Sequence, residues 1–218
     1  MGFARLGSVM ELVGRERELS AVARALDDVG AGSRRLLAVI GESGIGKSAL
    51  LAAIAGLARE RGLPVLERRA AAHARDIPCA AVDADLLARL DAPAVLLLDD
   101  MHWADPSSAD LVIDLLNRPP AAPCLLVAAS RQRDAGPALR LLGEASRVPG
   151  FEELRLAPLD RDASLALLAG VGDPGDRERM AADARGNPLY LTELARSAGG
   201  PRCLPARCWR PSRSSWPR

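Results

Sequence analysis

GESGIGKS, residues 41–48, joins an apolar run, Leu36-Leu37-Ala38-Val39-Ile40, to a helix-forming segment, Ala49 to Arg59. The pattern is a glycine, four residues, then Gly-Lys-Ser, placed between a strand and a helix, which is the context this motif requires. Its glycines let successive backbone N–H groups turn inward and form a nest for an anion. The helix that follows adds its free N–H groups and the positive end of its dipole. In such a loop Lys47 reaches the β- and γ-phosphates of a nucleotide, and the Ser48 hydroxyl binds Mg²⁺. The ligand-contacting candidates are Gly41, Glu42, Ser43, Gly44, Ile45, Gly46, Lys47 and Ser48, with Ala49 at the helix start. Lys47 is the only lysine in the chain, and all other long basic side chains are arginine. A chain this biased toward arginine keeps lysine where a compact ammonium on a flexible stem is needed.

Outward from the loop, the chain alternates strand-like and helix-like segments. Leu19, Val22, Ala23 and Leu26 share one helical face before the first strand, 35–40. Helix 48–60 ends at Gly62 and Pro64, and Val65 to Arg68 reads as a short second strand. Residues 70–93 give no clear pattern beyond a possible helix from Asp83 to Leu90. Ala94 to Leu98 is a near-continuous apolar run, as expected of a strand covered on both faces. Helix 106–117, strand 124–129, a helix near 137–145 and a strand near 152–156 continue the alternation, which predicts a parallel three-layer sheet. From Asp160 three short helices, 161–169, 176–185 and 188–197, replace the strands. The predicted organisation is an unstructured 1–10, an α/β core over 11–158, a helical subdomain over 159–198 and a disordered Pro/Arg/Ser-rich tail over 199–218. A genuine tail and a shifted reading frame fit that last composition equally well.

The apolar strand ends in Asp99-Asp100, the form of a Walker B motif. Asp99 is assigned to Mg²⁺ together with Ser48, and Asp100 to the attacking water. Asp105 before Pro106 reads as a helix cap, and Trp103 as packing. His102 lies near acids, but no third ligand completes a metal site. Arg131, at the end of a strand, is placed either to contact the γ-phosphate or to face solvent, with Arg133 as the alternative cation.

Composition bounds the function. A net charge of +1 gives no overall electrostatic case for nucleic acid. Five arginines in 201–218 could meet phosphate, and two tryptophans could stack on bases, but no folded scaffold is legible there. No apolar run approaches the length of a membrane span. The N-terminus lacks a signal core. The four cysteines lack metal-ligand spacing, so reduced thiols in a cytoplasmic protein are expected.

LVGRERE (12–18), GESGIGKS (41–48), LLLDDMHWAD (96–105), the strand ending ASR (129–131) and GNPLYLTEL (186–194) together resemble one family. It is the AAA-related signal-transduction ATPases with numerous domains (STAND), in particular the ATPase module of LuxR-type transcriptional regulators. Similar modules precede some adenylate cyclase and protein kinase domains. The resemblance implies a P-loop NTPase α/β fold with a small C-terminal helical lid, and a nucleotide switch that takes ATP, releases ADP and hydrolyses slowly. It implies that Gly14, Arg15 and Glu16 lie near the adenine and ribose, that Arg131 reads the γ-phosphate, and that Gly186 and Pro188 form the lid turn, with Pro188 near the base. Lys47, Asp100 and Arg131 are then the catalytic candidates. Two departures bear on this. Only about fifty residues separate Lys47 from Asp99, and no DNA-binding domain follows the lid-like stretch, so a truncated module is expected. A binder that does not hydrolyse, or a fragment without its own activity, are the alternatives. Self-association or a partner regulator is the expected association.

Overall fold

The computed structural model describes residues 12–131 and 137–198. The expectations for residues 1–10, for Arg133 and for the tail 199–218 lie outside the described residues. Five parallel strands form one sheet: β1 (Arg35–Ile40), β2 (Val65–Arg69), β3 (Ala94–Asp99), β4 (Cys124–Ser130) and β5 (Phe151–Arg155), in the order β2-β3-β4-β1-β5. Eight α-helices accompany them among the described residues: α1 (Glu16–Gly30), α2 (Lys47–Glu60), α3 (Ala84–Ala88), α4 (Pro106–Asn117), α5 (Pro137–Ala145), α6 (Arg161–Leu167), α7 (Pro174–Ala184) and α8 (Pro188–Ser197).

The period-two alternation of a strand sorts the core into two layers. Leu37, Val39, Val95, Leu97, Leu125 and Val127 pack with Val22, Leu26, Leu50 and Ile54 of α1 and α2. Their neighbours Leu36, Leu96, Leu98, Leu126 and Ala128 face the other way, against Leu86 of α3, Val112 of α4 and Leu141 of α5. The residues of β3 are all buried, which is why that strand reads as a continuous apolar run rather than an alternation. Burying one such leucine side chain stabilises the fold by roughly 2–3 kcal/mol. This is the three-layer α/β arrangement the alternation predicts.

A third cluster belongs to the C-terminal helices. Leu159, Ala163, Leu167, Leu168, Met180, Ala181, Leu191 and Ala195 form it, and Val13 packs against it from the start of the chain. The chain entering at Leu12 and Val13 thus touches both bodies, since Leu12 packs on the core.

The unclear stretch 70–93 has a defined route. A short 3₁₀ turn (Ala72–Ala74) precedes α3, and two polar side chains at the start of α4 fasten the loop between them. Asp105 accepts the N–H groups of Cys79 (2.9 Å) and Ala80 (3.2 Å) while capping Ser108 N–H (2.9 Å). Ser108 Oγ accepts those of Ala81 (3.1 Å) and Val82 (2.9 Å). Trp103 lies against the α3–α5 layer as packing. The start of α7 differs from expectation. Asp173 caps it, accepting Asp176 N–H at 2.8 Å, so Pro174 takes the first turn and the helix begins two residues early.

Candidate functional site

The site gathers at the carboxyl edge of the sheet, where β1 runs into the loop 41–46. The strand order leaves β1 between β4 and β5, so the chain leaves β1 in one direction and β4 in the other. Open α/β sheets place ligands at such a switch point. Gly41 N–H donates to Ser130 O at 3.3 Å, tying the loop's first residue to the end of β4. Gly46 holds φ +105°, a backbone that only glycine adopts without strain, and it turns the chain into α2. Gly44, at φ +76°, has no space for a side chain, because a Cβ there would lie 2.8 Å from both Asn187 Oδ1 and Leu189 Cβ.

Lys47 is buried at the first position of α2. Its Nζ donates to the carbonyls of Gly41 (2.8 Å) and Glu42 (2.9 Å). An ammonium carries three donors, and these two bonds leave one for an anion. Burial lowers the Lys47 pKa. The charges of Asp100, Asp99 and Glu42 oppose that shift and Arg131 adds to it. Arg131 follows β4 directly, half-buried, with its charge acting on Lys47.

Ser48 Oγ donates to Asp99 Oδ2 at 2.7 Å. Asp99 is 5% exposed at the end of β3, and burial pushes its carboxyl up. The Ser48 bond draws it back, the Asp100 charge raises it further, and Arg69 lowers it. Asp100 sits in the left-handed region, φ 54°, which aspartate tolerates better than most residues. Its N–H closes onto Asp99 Oδ1 at 2.8 Å. The two carboxylates therefore point differently: Asp99 toward Ser48, and Asp100 toward the end of β2.

There the sequence reading misses a residue. Strand β2 runs one position beyond the predicted Arg68, and Arg69 is the register partner of Asp99. Its guanidinium donates to Asp100 Oδ2 from Nε (2.8 Å) and Nη2 (2.6 Å). Burial opposes the Arg69 charge, but the bond and charge of Asp100 outweigh it and raise the pKa.

Arg15 and the turn before α8 meet the loop from outside. Arg15 is buried, with Nη2 donating to Ile45 O at 3.0 Å and Nη1 paired with Glu18 at 3.3 Å. Gly14 rests against Ala163 and Leu159. Pro188 opens α8, and the residue before it, Asn187, donates from Nδ2 to Ser43 O at 3.0 Å. The sequence pattern marks Asn187 only as the middle of a Gly-x-Pro turn. An asparagine before a proline at a helix start is also a capping signal, and that much is present in the sequence.

Residues 11–91 match the family model of the AAA ATPase domain. The fold is that of the P-loop NTPases. Solved structures agree in architecture at low identity. Against ORC1 of Aeropyrum pernix in complex with DNA, the identity is 20% over 89% of this chain and 62% of that one, with a TM-score of 0.59. A RuvB variant of Thermotoga maritima gives 22%, 88%, 64% and 0.60. NtrX from Brucella abortus in complex with ADP gives 14%, 94%, 54% and 0.58. The chain spans somewhat less than two thirds of the length of these structures. No curated protein matches it. Among the described residues no helix is long and apolar enough to cross a membrane.

Proposed function

We propose that the chain binds Mg·ATP at the loop 41–48 and hydrolyses it slowly to ADP and phosphate, as a switch module of the STAND type found in LuxR-type regulators. The observation that carries the reading is the Ser48 Oγ–Asp99 Oδ2 bond of 2.7 Å beside a buried Lys47. A hydroxyl and a carboxylate already in contact at the start of α2 are hard oxygen donors, the kind Mg²⁺ takes. Ser48 and Asp99 would hold the ion, which supplies neutralisation of charge on the phosphate oxygens.

In this reading the chain's own groups divide the work. N–H groups of residues 42–48 and Ala49 face the phosphates, and the third donor of Lys47 meets a β/γ oxygen. Arg131 offers a second cation from the end of β4, and with Lys47 nearby each gains from an anion between them. Asp100, not tied to Ser48, orients the attacking water, and Arg69 sets where its carboxylate stands. Gly14, Arg15 and Pro188 line the side on which the base lies, where the first residues of the core meet the lid. The regulatory role is supported by the sequence elements LLLDDMHWAD and GNPLYLTEL, and the downstream domains and partner it would serve are part of that proposal.

Phosphate release by the full chain, followed with and without Mg²⁺, tests the enzymatic half. Slow, Mg²⁺-dependent release is expected. Nucleotide binding with no release above the uncatalysed rate would leave a binding module and contradict hydrolysis.

A further inference from the structure

The loop 41–48 has three consecutive carbonyls, and each is held by a group from elsewhere in the chain. Ser43 O accepts Asn187 Nδ2 at 3.0 Å, Gly44 O accepts Leu189 N–H at 3.2 Å, and Ile45 O accepts Arg15 Nη2 at 3.0 Å. A trans peptide is planar, and its C=O and N–H point in opposite directions. Anchoring the carbonyl of one residue therefore fixes the N–H of the next. The three outside bonds set the N–H directions of Gly44, Ile45 and Gly46, the donors of an anion nest. Ile45 N–H has only a long contact, 3.4 Å to Glu42 O, which an anion can displace.

We propose that Asn187 is a positioning residue for phosphate binding: its side-chain amide ties the lid to the loop and holds the nest donors in the orientation that receives the β/γ-phosphates. This rests on the nucleotide reading of the loop given above. Asn187 has the chemistry for two tasks at once. Its Oδ1 caps α8, accepting the N–H groups of Leu189 (3.1 Å) and Tyr190 (3.3 Å). Its Nδ2 is left to reach the loop. The absence of a side chain at Gly44 lets the turn approach this closely, since any Cβ there would strike Asn187 and Leu189. Two of the three anchors come from the lid and one from the start of the chain, so the loop's donors are set only when the lid is docked. By linkage, an anion that needs those donors must in turn hold the lid down.

Serine and aspartate cap a helix about as well as asparagine. Asn187→Ser keeps the cap without the reach or a new charge, and Asn187→Asp keeps the cap and the shape without the donor. Mg·ATP affinity is measured by calorimetry on the full chain and both variants, beside their thermal unfolding. Asn187→Ser should lose about fivefold in affinity, the scale of one hydrogen bond, with the unfolding midpoint lowered by no more than about 4 °C. A loss under twofold in Asn187→Ser overturns the proposal, and so does a loss seen only in Asn187→Asp, which reports charge rather than the bond. The Leu189 N–H is shared between the Asn187 cap and Gly44 O, so its hydrogen exchange is compared with and without Mg·ATP within each chain, a difference that a cap alone does not produce. Mg·ATP should slow that exchange in the parent chain and not in Asn187→Ser, and equal slowing in both contradicts the proposal. In the nucleotide-free chain Asn187→Asp, which keeps the cap and loses the tie, should exchange faster at Leu189 than the parent. If the parent binds no Mg·ATP, the nucleotide reading fails, while that nucleotide-free comparison still shows whether the tie exists.

Discussion

Asp99 and Asp100 are adjacent in sequence yet have different hydrogen-bond partners, which suits the different work proposed for them. Asp99 is buried against Ser48, while Asp100 is turned by its left-handed backbone toward Arg69. Asparagine also tolerates that backbone, so Asp100→Asn isolates the carboxylate's charge. It should leave Mg·ATP binding near the parent value and lower turnover, because it removes a group needed only for the water. Asp99→Asn should weaken the Mg²⁺ dependence of binding instead. Steady-state phosphate release and calorimetry on the two variants check this, and the reverse pattern would exchange the two roles. The run of apolar residues ending in two acids is legible in the sequence by itself. Arg69 is not, because its meeting with Asp100 depends on β2 lying beside β3 in register, Arg69 opposite Asp99. Strand order is a property of the whole sheet, and no local pattern around Glu67-Arg68-Arg69 contains it.

At the scale of elements, the loop between β2 and α3 is the part that periodicity leaves blank. It has few apolar anchors and is held by polar groups at the start of α4. Asp105, 2% exposed, collects N–H groups from both its own helix and that loop. Burial alone would raise its pKa, but the Ser108 side-chain and backbone bonds, followed by those from the 79–81 backbone, outweigh it and hold the carboxyl below its ordinary value. The sign follows from the linkage of protons to folding. A depressed carboxylate contributes stability in full above its unfolded pKa, about 3.9, and loses it as pH falls through the lower folded value. Asp105→Asn should therefore cost about 1–3 kcal/mol at neutral pH. Urea unfolding of both chains at several pH values checks it. The gap should narrow only below about pH 4, and a gap independent of pH down to the acid limit would show that the charge does not matter. The cap itself is readable from Asp before Pro. Its second use, fastening residues 79–82, is not, because it joins segments about 25 positions apart.

For the whole molecule, the alternation of strands and helices is enough to give the layers, since parallel strands covered on both faces leave long apolar runs in the sequence. The three C-terminal helices contribute a hydrophobic cluster of their own, against which Val13 also packs. What the alternation cannot give is how that cluster seats on the loop. The bond from Asn187 to Ser43 spans 144 positions and depends on the docking of two bodies. Everything proposed for the site depends on the loop between β1 and α2 taking a nucleotide through Lys47. The decisive measurement is calorimetric titration of Mg·ATP into the full chain and into Lys47→Ala. Saturable binding is expected in the parent, weakened by about 1.5–3 kcal/mol in Lys47→Ala, the range for hydrogen bonds to charged groups. Binding of equal strength in the two chains, or none in the parent, would contradict it.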